Sequence, residues 1–297
     1  MMSHIHLHQS ASESFWISVV LSLVAIVYLH QWLRVALLVP DRVNGWRAWS
    51  FFAGLFLLWI GLGSPLSLLD HALLTVHMVQ HLLLMTLAPP LILLGAPLKL
   101  LPHRRGQQLA GLNARPLLWA STRQLKCILL HPAVGWIGAT ATLVAWHIPS
   151  IFMLGLRSEM WHGIEQASFL VTGLLFWWPV VESSWSVLKW PESSILLYLF
   201  LATLPCDILS GFLVFCDRVV YPVYLSSSQS FGLSALEDQQ CAGALMWTCV
   251  TVVYLIAGAV FAARLLSPRW SLDYLIRQPE SKAAAVAHTD PHRIETV

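Results

Sequence analysis

Asp70-His71-Ala72-Leu73-Leu74-Thr75-Val76-His77-Met78-Val79-Gln80-His81 opens an apolar run that continues to Leu94, and its reading decides the fold. The run over 71–94 is long enough to cross a bilayer, for which roughly 20 mostly apolar residues suffice. On a helix, His77 and His81 lie one turn apart on one face, and Asp70 and Leu74 fall on the same stripe. Two imidazoles and a carboxylate in so apolar a segment need partners, because hydrocarbon offers none. The rest of the chain has to supply them.

Six further runs of the same kind flank this one, at about 15–39, 48–64, 132–154, 162–181, 194–216 and 242–266. They predict an all-α polytopic membrane protein with seven transmembrane helices. Composition points the same way: 57% of the 297 residues are hydrophobic and 11% charged, against about 25% charged in soluble domains. Fifteen Trp and sixteen Pro fit interfacial aromatics and kinked helices. A net charge of +2 is small and gives no reason to expect a nucleic-acid partner; the partner that composition demands is the lipid bilayer. The five cysteines, at 127, 206, 216, 241 and 249, form no CxxC pair and define no disulfide framework. A Cys216–Cys241 disulfide is left as a minor alternative to inert burial.

The chain divides into a His-containing tail (1–14), a seven-helix domain (15–266) and a disordered tail (267–297). The leading segment has no Lys or Arg, and its apolar run is too long for a signal peptide, so it is expected to be the first span. His4, His6 and His8 alternate there as a weak metal-catching tail or an ordinary disordered terminus. Ala88-Pro89-Pro90, followed by Gly95-Ala96-Pro97, predicts a broken or re-entrant exit from the third helix. Pro149 after His147-Ile148 predicts a disrupted turn in the fourth.

Lys and Arg set the orientation. Arg34, Arg42, Arg47, Lys99, Arg104, Arg105, Arg115, Arg123, Lys126, Lys189, Arg264, Arg269, Arg277, Lys282 and Arg293 share one side, and only Arg157 and Arg218 lie on the other. This predicts the N-terminus outside and the C-terminus in the cytoplasm. His71 then sits at the outer surface, with His77 and His81 about 9 and 15 Å further in at about 1.5 Å per residue. His147, the face shared by His162, Glu165 and Gln166, and Asp238-Gln239 all fall in the same outer half.

That convergence suggests a metal site. His77, His81, His147 and His162 supply imidazoles, and Glu165 or Asp70 a carboxylate ligand or supporting group. Copper is preferred mildly over zinc because soft donors lie near: Met78, Met85, Met153, Met160, Met246, Cys206, Cys216 and Cys241. For each Met the ordinary reading is core packing. Asp238 stands where it could cap the last helix, with Gln239 and Met246 as supporting or partner-contact residues. Trp177, Trp178 and Trp185 read as an aromatic belt. Haem ligation by two of the histidines stays open. A retinal Schiff base does not, since the last helix has no Lys. The enzyme alternative is an intramembrane zinc hydrolase using Asp70, Glu165 or Asp207 as general base.

His77-Met78-Val79-Gln80-His81-Leu82-Leu83-Leu84-Met85, then Ala88-Pro89-Pro90-Leu91 and Leu94-Gly95-Ala96-Pro97, resembles the seven-helix CtaG family of cytochrome c oxidase assembly factors. Trp146-His147-Ile148-Pro149, Phe169 through Pro179, Tyr221-Pro222-Val223-Tyr224 and Asp238 through Trp247 continue the resemblance in family order over about residues 15–266. It implies a non-enzymatic protein of the bacterial inner membrane that serves a haem-copper oxidase, contacts its subunits and assists delivery of copper. The chain departs from the family at the fifth helix, where the block often ends in a second His and this sequence has Gln166. A metal-free scaffold for oxidase subunits is the further alternative.

Overall fold

The computed structural model describes residues 2–38, 44–64, 69–97, 130–181, 193–225 and 231–266, with single residues 66 and 128 between them, and side chains from residue 14 onward. The tail after residue 266 and Cys127 lie outside the described residues, as does Trp185. Helix α1 (Met2–Leu38) starts well before the expected span, so the His-containing segment continues the first helix. Helix α2 is Gly45–Gly63. The third span is continuous from Leu74 to Leu94, built from α3 (Leu74–Leu82), a π-helical turn (Leu83–Leu87) and α4 (Ala88–Leu94). The fourth bends by 80° between α5 (Pro132–His147) and α6 (Pro149–Arg157). Helices α7 (Glu159–Val181) and α8 (Ser193–Phe215), a 3₁₀ turn (Pro222–Leu225) and α9 (Ala235–Leu266) complete the order. No strand occurs among the described residues. Among the described residues, six helices are long and apolar enough to cross a membrane, seven with the bent pair taken as one span.

The third span is the centre of the bundle. Its Met78, Leu82 and Leu93 pack into a cluster with α7, α8 and α9. Its Leu84 and Ala88 pack into a second cluster with α1, α2 and Phe169. Polar links tie it in from the side: Gln80 donates to Gly61 O (3.0 Å), Ser50 to Leu91 O (2.8 Å) and Tyr28 to Gly95 O (3.0 Å). Interhelical hydrogen bonds of this kind register helices where lipid and core are equally apolar.

The expected break at Pro89-Pro90 does not occur, because another helix supplies the missing donor. The carbonyl of Met85 would be paired by residue 89 in α-helical register and by residue 90 in π register, and both are proline. The indole of Trp177 on α7 donates to that carbonyl instead, at 3.1 Å. Gly173, one turn earlier, allows the approach: a Cβ there would stand 2.8 Å from Met85 O. Trp177 is therefore a core residue, 2% exposed, rather than part of a belt. Trp177→Phe is expected to lower the melting temperature of the detergent-solubilised protein, with a cost of about 1–3 kcal/mol for an unpaired buried carbonyl. An unchanged melting curve would show that this carbonyl finds another donor.

The Pro149 break does form. Ile148 is extended (φ −68°, ψ 123°), as a residue preceding proline prefers. His147 becomes the last residue of α5, and the hydroxyl of Tyr221 donates to its carbonyl at 2.9 Å. Helix α9 begins at Ala235, earlier than expected, which puts Asp238 and Gln239 inside it. Its N-terminus is closed by Ser234 and Glu237: Ser234 N and Oγ donate to Glu237 Oε2 (2.8 Å each), and Glu237 N donates to Ser234 Oγ (3.2 Å). This reciprocal Ser-x-x-Glu box leaves Asp238 free for another task.

Candidate metal centre

That task is capping α3. Asp238 Oδ2 accepts from Leu74 N (2.7 Å), and Oδ1 accepts from Thr75 N (3.1 Å) and Thr75 Oγ1 (2.7 Å). Leu73, at the N-cap of α3, has no side chain able to do this. The carboxylate thus comes from a helix 163 or 164 residues away in sequence, and it fixes the turn from which His77 projects. Gln239 performs a related service for the α8–α9 connection. Its Oε1 accepts from Val220 N (2.7 Å) and its Nε2 donates to Arg218 O (3.2 Å) and Leu213 O (3.3 Å). Tyr224, from the same connection, donates to Asp70 O (2.9 Å).

Within this frame His77 and His81 turn toward α7. Their Nε2 atoms are 2.8 Å apart, and Glu165 Oε1 is 3.4 Å from His77 Nε2 and 3.2 Å from His81 Nε2. All three residues are buried: Glu165 and His77 are 1% exposed and His81 6%. Gly155 on α6 makes room for the carboxylate, because a Cβ there would lie 2.7 Å from Glu165 Oε2. The carboxylate oxygens have no aligned hydrogen bond, and neither do the Nδ1 atoms of His77 and His81. A buried carboxylate needs a compensating cation, and here either a protonated imidazole among His77, His81 and His162 or a metal ion can supply it. Donor atoms around a tetrahedral ion at about 2.0–2.1 Å stand roughly 3.4 Å apart, close to the triangle formed here. The three residues therefore fit a metal ion by donor type and spacing.

A second triad overlaps the first. Asp70, His77 and His162 bring one ligand atom each within 4.8 Å of one another, as do His77, His81 and Glu165. His77 belongs to both. His162 spans them, with Nε2 3.1 Å from Asp70 Oδ2 and Nδ1 3.4 Å from Glu165 Oε2. Gln166 contacts His162 through a 2.7 Å N···N approach. His71, 56% exposed at its side chain, lies 3.7 Å from Asp70 Oδ1 and connects the cluster to the surface. Asp70 itself is 1% exposed. Burial pushes its carboxyl up, but the hydrogen bond from His162 and the charges of His71, His162 and His77 outweigh this and hold it below its ordinary value.

The other residues singled out in the sequence fall nearby or apart. His147 is buried with its Nδ1 2.7 Å from Leu143 O, so Nδ1–H donates to the carbonyl and Nε2 is left bare. Its ring is 6.3 Å from that of His81, and it belongs to neither triad. Met246 is in the apolar core. Asp207 lies on α8 outside both triads. Cys206, Cys216, Cys241 and Cys249 are free thiols, so a Cys216–Cys241 disulfide is not formed.

The fold and the cluster together define a multi-pass helical membrane protein with a buried His–carboxylate centre at one end of its bundle. Residues 26–267 match the model of the cytochrome c oxidase caa3 assembly factor family, and the chain belongs to that family. It is also 25% identical over 230 residues to uncharacterized proteins of Mycobacterium bovis and Mycobacterium tuberculosis, covering 74% of this chain and 34% of each of theirs. An uncharacterized Mycobacterium leprae protein is 23% identical over 192 residues, covering 62% of this chain and 29% of its own. The chain thus spans about a third of the length of these curated relatives. No solved structure matches.

Proposed function

We propose that the chain serves maturation of a haem-copper cytochrome c oxidase by holding a copper ion, as cargo, at His77, His81 and Glu165. The observation that carries this reading is a buried carboxylate with no aligned donor, facing two imidazole Nε2 atoms that approach to 2.8 Å. Neutral imidazole and carboxylate suit copper or zinc. Family membership supports copper, because the oxidase is the process the family serves.

The two triads suggest a route. An ion captured near His71 and Asp70 is passed to His77 and His162, then to His81 and Glu165, with His77 common to both steps. Oxidase subunits, docked at this end of the bundle, receive it. The expected sidedness, with only Arg157 and Arg218 of the seventeen Lys and Arg residues on the outer side, supports a position for this end at the outer face of the bacterial cytoplasmic membrane.

The test is the copper content of the purified protein and of a His77→Ala/His81→Ala variant, together with oxidase activity in cells carrying each. The variant is expected to lose bound copper and to leave the oxidase immature. Equal copper in both would sink the site, and normal oxidase activity with the variant would favour a metal-free scaffold.

A further inference from the structure

Directly beyond His81 lies a cavity of about 40 Å³, lined by His81, His147, Met78, Met85, Cys206 and Met246 among other residues. We propose that this cavity is a second metal site, built for a soft monovalent cation such as Cu(I). The choice of ion rests on the copper reading above; the site itself is distinct from the His77–His81–Glu165 centre.

Four features argue for it. The sulfur atoms come from three separate helices, with Met78 and Met85 on the third span, Cys206 on α8 and Met246 on α9. Three thioethers and one thiol form a soft donor set of the kind that takes Cu(I). His147 is 6% exposed, and its bare Nε2 has no partner, while Leu143 O holds the opposite ring nitrogen at 2.7 Å. That is how a ligating histidine is oriented. No Asp or Glu lines the cavity, so a divalent ion would be poorly compensated there and a monovalent one less so. The volume exceeds the roughly 10–15 Å³ that one small probe needs and is far below that of an organic cofactor.

His81 sits at the junction, its Nε2 facing Glu165 and its ring lining the cavity. An ion can therefore exchange ligands from the nitrogen–oxygen centre to the sulfur-lined one without any change of oxidation state. Copper held there has no carboxylate among its lining residues.

Anaerobic titration of the purified full-length protein with Cu(I), against a chromophoric chelator, and separately with Zn(II), tests the proposal. The wild type is expected to bind one more equivalent of Cu(I) than of Zn(II), with sulfur scattering at the copper edge in X-ray absorption. Met78→Leu/Cys206→Ser/Met246→Leu is expected to lose that extra equivalent and the sulfur signal while keeping its Zn(II). Glu165→Gln is expected to do the reverse, keeping sulfur-bound Cu(I) and losing Zn(II). Equal Cu(I) and Zn(II) stoichiometry without sulfur scattering would overturn the second site and leave the Glu165 centre standing. Sulfur-bound Cu(I) in wild type without Zn(II) binding would retain the second site and remove the first.

Discussion

Glu165→Gln is expected to abolish tight Zn(II) binding at the His77–His81–Glu165 centre while the bundle stays folded. The substitution keeps the shape of the side chain and the space that Gly155 leaves for it, where a Cβ would come within 2.7 Å of the carboxylate. What it removes is the one negative charge within the His77–His81–Glu165 triad. Replacing groups that only support a ligand costs about 10–100-fold in metal affinity, so losing a ligand charge should cost at least that. Zn(II) or Co(II) titration of the purified protein reads the affinity, and a thermal melt of the same sample reports the fold. Glu165→Asp, which retracts the carboxylate by one methylene, is expected to fall between. If Gln binds metal as the wild type does, the carboxylate serves only to order the three histidines around it.

Asp238→Ala is expected to be the most destabilising single substitution near the centre and to impair it as well. The buried Leu74 N–H and the half-buried Thr75 N–H lose their acceptor together, while the Thr75 hydroxyl keeps only the backbone carbonyl of residue 238 at 3.1 Å. At about 1–3 kcal/mol for each of the two unsatisfied backbone donors, the cost is about 2–6 kcal/mol. His77 is one turn from the freed end, so fraying there displaces a ligand of both triads. Asp238→Asn retains one acceptor oxygen and should recover part of both stability and metal affinity. Thermal unfolding and metal titration on the same preparations separate the two effects. A variant that melts normally would mean that water or Ser/Thr side chains replace the cap.

The helices and the His pair were readable in the chain. Apolar runs near the length of a bilayer crossing are set by composition, and i, i+4 spacing places His77 and His81 on one face wherever the helix packs. Glu165 was visible for the same reason, three residues after His162. The Pro149 bend was also local, because proline restricts the residue before it. Ser234 and Glu237 carried a capping-box signature that could have fixed the start of α9 and released Asp238 from that role.

Long-range partners were not readable. Pro89-Pro90 suggests a broken helix until Trp177, 92 residues away, supplies the missing donor. Asp70 looks like a surface residue at the end of a span until Tyr224, 154 residues away, ties down its backbone and His162 meets its side chain.

By itself, then, the sequence determined an all-helical membrane bundle, the number of its apolar spans, and a His pair that had to find polar company. Tertiary structure decided which carboxylate meets that pair and which acid caps the helix bearing it. The physical reason lies in the solvent. In water an apolar stripe tells a helix which way to face. In lipid, inward and outward faces are equally apolar, so helix rotation is settled by close packing at small residues and by hydrogen bonds between distant segments.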